Sequence, residues 1–232
     1  MGAGLSPQAY AARAHAGSNA QGGVAASAEI IDLTRALAAA RVRALSARKR
    51  LFDLALASTA LLTLAPLLLL IWLAIRLTST GPGLYWSARA GRGGRVFLMP
   101  KFRTMLASAP QTPRETLEAA DTLVTPLGKL LRRWSLDELP QLFSILKGDM
   151  SFIGPRPLMP EDPAHIARLK FPASLAVRPG LSGLAQVRGR NLVSPRRKAR
   201  LDALYARVRS GPLDIALIGR TAIVLVTGRG FI

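Results

Sequence analysis

Two adjacent carboxylates and an arginine held between prolines lie close together in this chain. Asp137 and Glu138 open the stretch DELPQLFSILKGDMSFIGPRP, and Arg156 stands between Pro155 and Pro157 at its end. The prolines restrict the backbone on both sides of the arginine, so its guanidinium is preorganised to bind an anion. Carboxylates beside such an arginine suit a phosphate-bearing substrate.

The residues around Asp137 predict a helix. Ser135 followed by Glu138 matches a capping box, apolar residues recur behind it at helical spacing, and Gly148 is placed to end the helix. Asp137 then lies in the first turn, where unpaired N–H groups and the helix dipole favour an ionised carboxylate. We therefore predict a charged Asp137 that serves as nucleophile or ligand. On spacing alone, the alternative is that both acids only complement the helix end and GPRP is only a turn.

The chain is both basic and apolar. It has 232 residues, 32 Lys and Arg against 13 Asp and Glu, a formal charge of +19 and 50% hydrophobic residues. This combination favours a membrane protein that attracts anionic lipids and anionic substrates over a soluble nucleic-acid binder. The absence of cysteine excludes disulfides, thiolate metal sites and cysteine nucleophiles.

Composition divides the chain into four segments. Residues 1–28 predict a disordered N-terminal tail, and residues 29–50 predict a basic amphipathic helix on a membrane surface. Residues 51–76 predict a membrane helix, and residues 77–232 a catalytic domain with interfacial helices. Within that domain, the stretch from Leu84 to Pro100 predicts two short strands around a glycine-rich turn.

The membrane helix over 51–76 is long enough to span a bilayer. Pro66 lies near its middle and basic residues flank both ends. The proline removes a backbone hydrogen bond, and the flanking charges favour the cytoplasm for both ends. We therefore predict a re-entrant helix that enters and leaves on one face. The alternative is a kinked helix that spans the membrane.

Three ordered motifs carry a resemblance. They are KFRTM at 101–105, the acidic stretch that ends in GPRP at 137–157, and RPGLSGLAQVRGRN at 178–191. Together they resemble the bacterial sugar transferases that are monotopic polyprenyl-phosphate phosphoglycosyl transferases, from about Lys49 to the C-terminus. The resemblance implies an α+β fold: a mainly helical monotopic membrane protein with a re-entrant membrane helix, in-plane amphipathic helices and a small β component.

The chain departs from the family pattern at two positions that bear on this fold. Ala65 stands before Pro66 where the family has serine, so a hydroxyl that could satisfy a freed carbonyl is missing. Ala88 stands where the family motif Gln-Glu-Arg has its glutamate. The role of that glutamate is therefore not transferred to this chain.

The resemblance implies an activity as well. It implies transfer of a sugar-1-phosphate from a UDP-sugar to polyprenyl (undecaprenyl) phosphate, which initiates synthesis of a glycan such as an exopolysaccharide or the O-antigen of lipopolysaccharide. Asp137 would attack the sugar-linked phosphate and form an aspartyl phosphosugar. Glu138 would hold Mg²⁺ together with Asp137, or would orient the nucleophile.

Further residues are expected to contact the substrates. They are Lys101, Arg103, Pro155, Arg156, Pro157, Arg178, Gln186, Arg190 and Asp202. From the residues alone, Lys101 and Arg103 fit a solvated basic strand equally well, and the arginines of 178–191 fit an ordinary turn. The glycine spacing in 178–191 nevertheless predicts a loop whose backbone closely approaches another group, which could be a diphosphate.

A basic helix is predicted to begin near Ser194 and Pro195. Its apolar residues could face a membrane in its plane or pack on the core. The expected location is the bacterial inner membrane, with the catalytic domain on the cytoplasmic face and anionic lipids as partners. A homo-oligomer is compatible with this organisation.

Two other functions stay open at this point. One is a non-catalytic cationic membrane scaffold. The other is RNA binding, which the charge suggests but which lacks aromatic residues interleaved with the basic segments. We therefore expect no nucleic-acid partner.

Overall fold

The computed structural model describes residues 46–109, 122–188 and 193–227. Contacts divide the chain into Met1–Arg48 and Lys49–Ile232, and the structure below concerns the second unit. The predicted tail over 1–28, the predicted helix before residue 46, and Arg190 lie outside the described residues.

The described part of the chain is mainly helical and contains two small two-stranded sheets. This confirms the mainly helical α+β prediction. The helices and strands are α1 Ser46–Thr78, β1 Leu84–Ala90, β2 Val96–Phe102, α2 Pro126–Arg133, α3 Gln141–Lys147, β3 Ser151–Ile153, α4 Pro163–Leu169, β4 Gly180–Ser182, α5 Leu184–Val187, α6 Pro195–Val208 and α7 Gly211–Thr227.

Helix α1 has 33 residues and, among those the structure describes, is the one helix long and apolar enough to cross a membrane. It continues through Pro66, so the proline does not interrupt it. Before Pro66, Ala57 packs in a cluster with Leu142 and Ile145. After Pro66, Ile71 packs in a second cluster around Phe102 and Leu131. Both halves of α1 therefore contact the same unit.

Strands β1 and β2 are the two predicted strands, and they pair as an antiparallel hairpin with Leu84 opposite Phe102 and Ala90 opposite Val96. Gly93 and Gly94 make the turn with positive φ angles of 68° and 79°, which glycine adopts at little cost. Side chains alternate between two faces along each strand. One face is turned toward the core, and the other exposes Trp86, Val96 and Leu98.

The predicted capping box at Ser135 is wrong. Ser135 has φ 55° and makes no side-chain cap, and Leu136–Glu138 forms a single 3₁₀ turn. Helix α3 begins only at Gln141, after Pro140. Proline has no N–H to donate and so suits a position at the start of a helix. Gly148 ends α3 with φ 99°, as predicted.

A second sheet, which the sequence does not predict, pairs β3 with β4 in parallel. Its close backbone approach depends on glycine. A Cβ on Gly180 would lie 2.1 Å from the nitrogen of Gly154, and a Cβ on Gly154 would lie 2.3 Å from the oxygen of Arg178. The glycine spacing of the 178–191 motif thus places it against the GPRP loop, so the close approach is to backbone.

Helices α6 and α7 cover this second sheet. Tyr205 of α6 and Leu217 of α7 are buried with Ile153 of β3. The remaining apolar residues of α6 do not all join that core, because Leu204 and Val208 are about half exposed. The helix start at Pro195 is confirmed, although Ser194 makes no side-chain cap.

Candidate active site

A small polar cleft lies between the core-facing side of the hairpin and the loop that follows β3. Strand pairing sets its hairpin wall, because β1 and β2 turn alternate residues toward the core. The GPRP loop and the start of β4 provide the opposite wall. The residues that line the cleft are Arg89, Met99, Lys101, Glu138, Gln141, Arg156, Pro157, Gly180 and Leu181.

Glu138 lies at the centre of the charged groups in this cleft. The Nζ of Lys101 donates to Glu138 Oε1 at 2.8 Å, and Arg156 Nη2 donates to the same oxygen at 3.2 Å. Burial alone would raise the pKa of Glu138, but the attraction of Lys101 and Arg156 outweighs it and holds the pKa far below its usual range. Glu138 is therefore ionised, and its charge organises the two cations.

Asp137 lies beside this cluster but is not among the residues that line the cleft. It is 9% exposed and belongs to the 3₁₀ turn, so no helix terminus keeps it ionised as the sequence predicted. Burial raises its pKa, Glu138 adds to that rise, and Lys101, Arg132 and Arg156 oppose it. The charge state of Asp137 consequently depends on how much positive charge surrounds it.

A buried ion pair supports the backbone of Arg156. Arg168 of α4 donates from Nη1 to the carbonyl oxygen of Arg156 at 2.7 Å. Its Nε and Nη2 contact Asp202 Oδ2 at 2.8 and 2.6 Å, and both side chains are almost inaccessible to solvent. Asp202, which was expected to contact substrate, therefore lies outside the cleft and reaches it through Arg168.

Comparisons with known proteins identify the family of this chain. Residues 44–228 match the family model described as Bacterial sugar transferase. The chain belongs to the bacterial sugar transferase family. This confirms the predicted family and the prediction that the protein is a transferase.

Several curated relatives are similar to this sugar transferase over most of its length. It is 39% identical over 191 residues to the UDP-glucose:undecaprenyl-phosphate glucose-1-phosphate transferase of Caulobacter vibrioides. The matched stretch covers 79% of this chain and 72% of that relative. It is 36% identical over 197 residues to the exopolysaccharide production protein ExoY of Rhizobium meliloti, covering 78% and 87%. It is 33% identical over 197 residues to the undecaprenyl-phosphate galactose phosphotransferase of Salmonella typhimurium, covering 78% of this chain but 41% of that protein.

Two arginines that were expected to bind substrate contact backbone carbonyl oxygens in this sugar transferase. Arg103 donates from Nη2 to the carbonyl oxygen of Ser79 at 3.0 Å and from Nη1 to that of Thr80, which ties the hairpin to the end of α1. Arg178 donates from Nε to the carbonyl oxygen of Gly148 at 2.7 Å, at the end of α3. Burial lowers the pKa of both arginines, as does the charge of neighbouring arginines. Neither arginine lines the cleft.

Gln186 does not line the cleft but bonds to a residue that does. Its Nε2 donates to the carbonyl oxygen of Leu181 at 3.0 Å, and Leu181 lines the cleft. In the same wall, the carbonyl oxygen of Pro155 accepts a 2.8 Å hydrogen bond from the nitrogen of Gly180. Gln186 and Pro155 thus shape the cleft, whereas Pro157 lines it directly.

One charged residue of the cleft was missed by sequence reasoning. Arg89 lines the cleft of this sugar transferase together with Lys101. The signal that could have found it is the alternation of β1 against β2, since Arg89 pairs with Phe97 and Lys101 with Tyr85. All four positions belong to the same face of the hairpin.

Asp137 and Glu138 are the carboxylates of this site that would hold a magnesium ion together with substrate phosphates. Within the described ranges, no group of three or more acidic or histidine side chains gathers to form a cage. Mg²⁺ does not need one, because it is commonly bound by one or two carboxylates and substrate phosphates. Lys101 and Arg156 both bond Oε1 of Glu138, which leaves Oε2 of Glu138 and the carboxylate of Asp137 as the oxygens to consider.

Proposed function

We propose that this protein transfers a sugar-1-phosphate from a UDP-sugar to undecaprenyl phosphate and so initiates synthesis of an exopolysaccharide or a related glycan. The observation that supports it most is the pairing of Glu138 with Lys101 and Arg156 beside a second carboxylate, Asp137. Phosphoryl transfer requires positioning and charge neutralisation, which such a cluster supplies. The names of the relatives supply the substrate classes.

The reaction proceeds in two displacements in this proposal. In the first, the carboxylate oxygen of Asp137 attacks the phosphorus attached to the sugar. The bond between that phosphorus and the bridging oxygen breaks, and UMP leaves with the oxygen and the electron pair. In the second, a phosphate oxygen of the lipid attacks the same phosphorus and releases Asp137, which yields undecaprenyl diphosphate-sugar.

The side chains of the cleft have separate tasks in these steps. Lys101 and Arg156 bind the phosphate oxygens on which charge accumulates. Asp137 must be ionised to attack, and these cations favour its charged form against burial. Asp137 and Glu138 would hold Mg²⁺ with the substrate phosphates, and the ion would supply further charge neutralisation.

The two-step path is tested without the lipid acceptor. Purified protein in nanodiscs is mixed with Mg²⁺ and each of a panel of UDP-sugars, and released UMP is measured in the first seconds. We expect a burst equal to the enzyme concentration and an adduct of sugar-1-phosphate on the peptide that contains Asp137. A preparation that turns over with acceptor but gives neither burst nor adduct would establish direct attack by the lipid phosphate.

The packing of α1 supports a helix that enters the membrane without crossing it. A straight helix of 33 residues is about 50 Å long, so a spanning helix would carry much of its length away from a unit on one face. Contacts with one unit instead run from Lys49, which pairs with Asp214, to Ile75 in the cluster around Phe102. The exposed apolar residues of α6 are compatible with a helix in the membrane plane.

Topology is tested with single cysteines, since the chain contains none. Exposed positions on the two sides of the apolar stretch are available at Ala47 and Thr80. In intact cells, both Ala47→Cys and Thr80→Cys should resist a membrane-impermeant maleimide, and both should react after permeabilisation. Labelling of only one in intact cells would establish a spanning helix.

A further inference from the structure

The cleft contains a third cation that differs from the other two in its partners. Lys101 and Arg156 both donate to Glu138. Arg89 lines the same cleft, yet its Nε is buried and has no hydrogen-bond partner within the described residues. Buried polar groups in folded proteins are nearly always paired, so an unpaired guanidinium nitrogen at a cleft indicates a ligand that completes it.

The backbone fixes Arg89 in this position. The nitrogen of the next residue, Ala90, donates to the carbonyl oxygen of Leu158 at 2.9 Å, which joins the end of β1 to the loop that contains Arg156 and Pro157. The hairpin turn beyond it is closed by a 2.8 Å bond from Gly91 to Arg95. The backbone of the cleft wall that contains Arg89 is therefore held in place by hydrogen bonds.

The charges of the cleft indicate the kind of ligand. Arg89, Lys101 and Arg156 are three cations, and Glu138 is the one carboxylate among the lining residues, so two positive charges are uncompensated there. Burial lowers the pKa of Arg89, and so does the neighbouring charge of Arg156, whereas the acids Asp162 and Glu138 oppose this only in part. An anion that carries two charges would offset the remaining positive charge, and a diphosphate is such a group.

The surroundings of Arg89 also indicate which phosphate it would contact. Lys101 and Arg156 both donate to Glu138, the residue next to the candidate nucleophile Asp137. Arg89 lines the same cleft, and its buried Nε has no hydrogen-bond partner among the described residues. Arg89 is thus the cleft cation that is not tied to the acidic pair, and this makes it available to the phosphate that Asp137 does not attack.

We propose that Arg89 binds the phosphate of the nucleotide donor that departs as the nucleoside monophosphate. Lys101 and Arg156 remain with the phosphate that Asp137 attacks. Arg89 does not contact the lipid phosphate, which arrives after the nucleotide has left. This inference rests on the proposed function, and its test separates the two.

The experiment uses full-length protein in nanodiscs and UMP as the probe. Binding of UMP is measured by calorimetry for wild type, Arg89→Gln and Arg89→Lys, with inorganic phosphate as a second probe. Arg95→Gln is the matched control, because Arg95 is an exposed arginine on the same hairpin, outside the cleft. Thermal unfolding of each variant reports whether it is folded.

Arg89→Gln should weaken UMP binding about tenfold or more, and should raise the KM for the UDP-sugar and the inhibition constant of UMP in parallel. The KM for undecaprenyl phosphate should not change. Arg89→Lys should fall between wild type and Arg89→Gln, because it keeps the charge but loses the planar fork. Arg95→Gln should match wild type.

Unchanged UMP affinity in a folded Arg89→Gln protein would overturn the inference, and so would a rise confined to the KM for undecaprenyl phosphate. If Arg89→Gln does not fold, unchanged UMP affinity in Arg89→Lys overturns it instead. A wild-type protein that binds no UMP and releases none from any UDP-sugar would overturn the proposed function itself. If the wild type turns over UDP-sugar and Arg89→Gln binds UMP as tightly as the wild type, only the role of Arg89 would be overturned.

Discussion

Glu138 and Asp202 each bind cationic nitrogens through a single oxygen, but they do so at different depths. The side chains of Glu138 and Arg156 are 19% and 48% exposed, whereas those of Asp202 and Arg168 are 2% and 5% exposed. Water and substrate can reach the first group, so its partners can exchange for phosphate oxygens. The second group is closed, and removing one partner would leave an uncompensated buried charge.

The two groups are joined at one residue. Arg156 presents its guanidinium to Glu138 and its carbonyl oxygen to Arg168. The backbone of this arginine is therefore held by the closed group, while its side chain belongs to the open one. The difference indicates a division of tasks: exposure permits ligand exchange at Glu138, and burial gives the loop a fixed position.

The largest effect is expected from Asp137→Asn, beside the open group. The amide is nearly isosteric, so the protein should fold, while turnover should fall by roughly three orders of magnitude or more because the nucleophile is lost. Release of UMP with and without acceptor measures this. Retained turnover would favour a non-catalytic role for Asp137 and a different nucleophile.

Substitution in the closed group, Asp202 and Arg168, should lower the stability of the protein. Asp202→Asn leaves Arg168 buried without its counter-charge, so the free energy of unfolding should fall by about 3–5 kcal/mol. Urea unfolding in nanodiscs measures it, with the double variant Arg168→Met/Asp202→Leu as the control. That double variant should recover part of the loss, because no charge remains unpaired. A loss below about 1 kcal/mol would show that the two groups do not differ as described.

Arg156→Lys sharpens the comparison from the open side. Lysine keeps the positive charge but lacks the planar fork that fits phosphate, so kcat/KM should fall roughly tenfold to a hundredfold. The free energy of unfolding should change by less than about 0.5 kcal/mol, because this side chain is half exposed. Full activity of Arg156→Lys would show that Arg156 does not bind phosphate in a bidentate manner.

A smaller effect is expected from Tyr205→Phe, next to the closed group on α6. The hydroxyl of Tyr205 lies 2.7 Å from Asp214 Oδ1 and 3.0 Å from the carbonyl oxygen of Ile153, just before the GPRP loop. Its removal takes away the one O–H that these two acceptors share, and the free energy of unfolding should fall by about 1–2 kcal/mol. If thermal unfolding shows no shift, this bond does not hold β3 in place.

The site residues that were correctly predicted from the sequence to lie together are close to each other along the chain. Glu138 and Arg156 are separated by one short helix and one short strand, so their proximity follows from a single motif. Lys101 was placed by the family resemblance, and the cleft contains it. The start of α3 was missed because Glu138 pairs with distant cations, which no local capping rule anticipates.

Residues whose task depends on tertiary contacts were harder to place. Nothing in the sequence tells which carbonyl oxygen Arg103 or Arg178 will bind, since those partners lie about 24 and 30 positions away. Arg89 required the register of two strands. The β3–β4 pair contains three residues on each side, too few to show an alternating pattern.

The arginines that bind carbonyl oxygens change how the charge of +19 should be understood. Arg50 donates to Ile145 and Leu146, and Arg103, Arg168 and Arg178 each donate to a carbonyl oxygen as well. These guanidiniums stabilise the ends of helices and loops through hydrogen bonds within the protein. The charge that counterions and lipid headgroups meet is therefore smaller than the formal charge. Added salt should weaken membrane attachment less steeply than that charge suggests, because partly buried cations are screened much less than exposed ones.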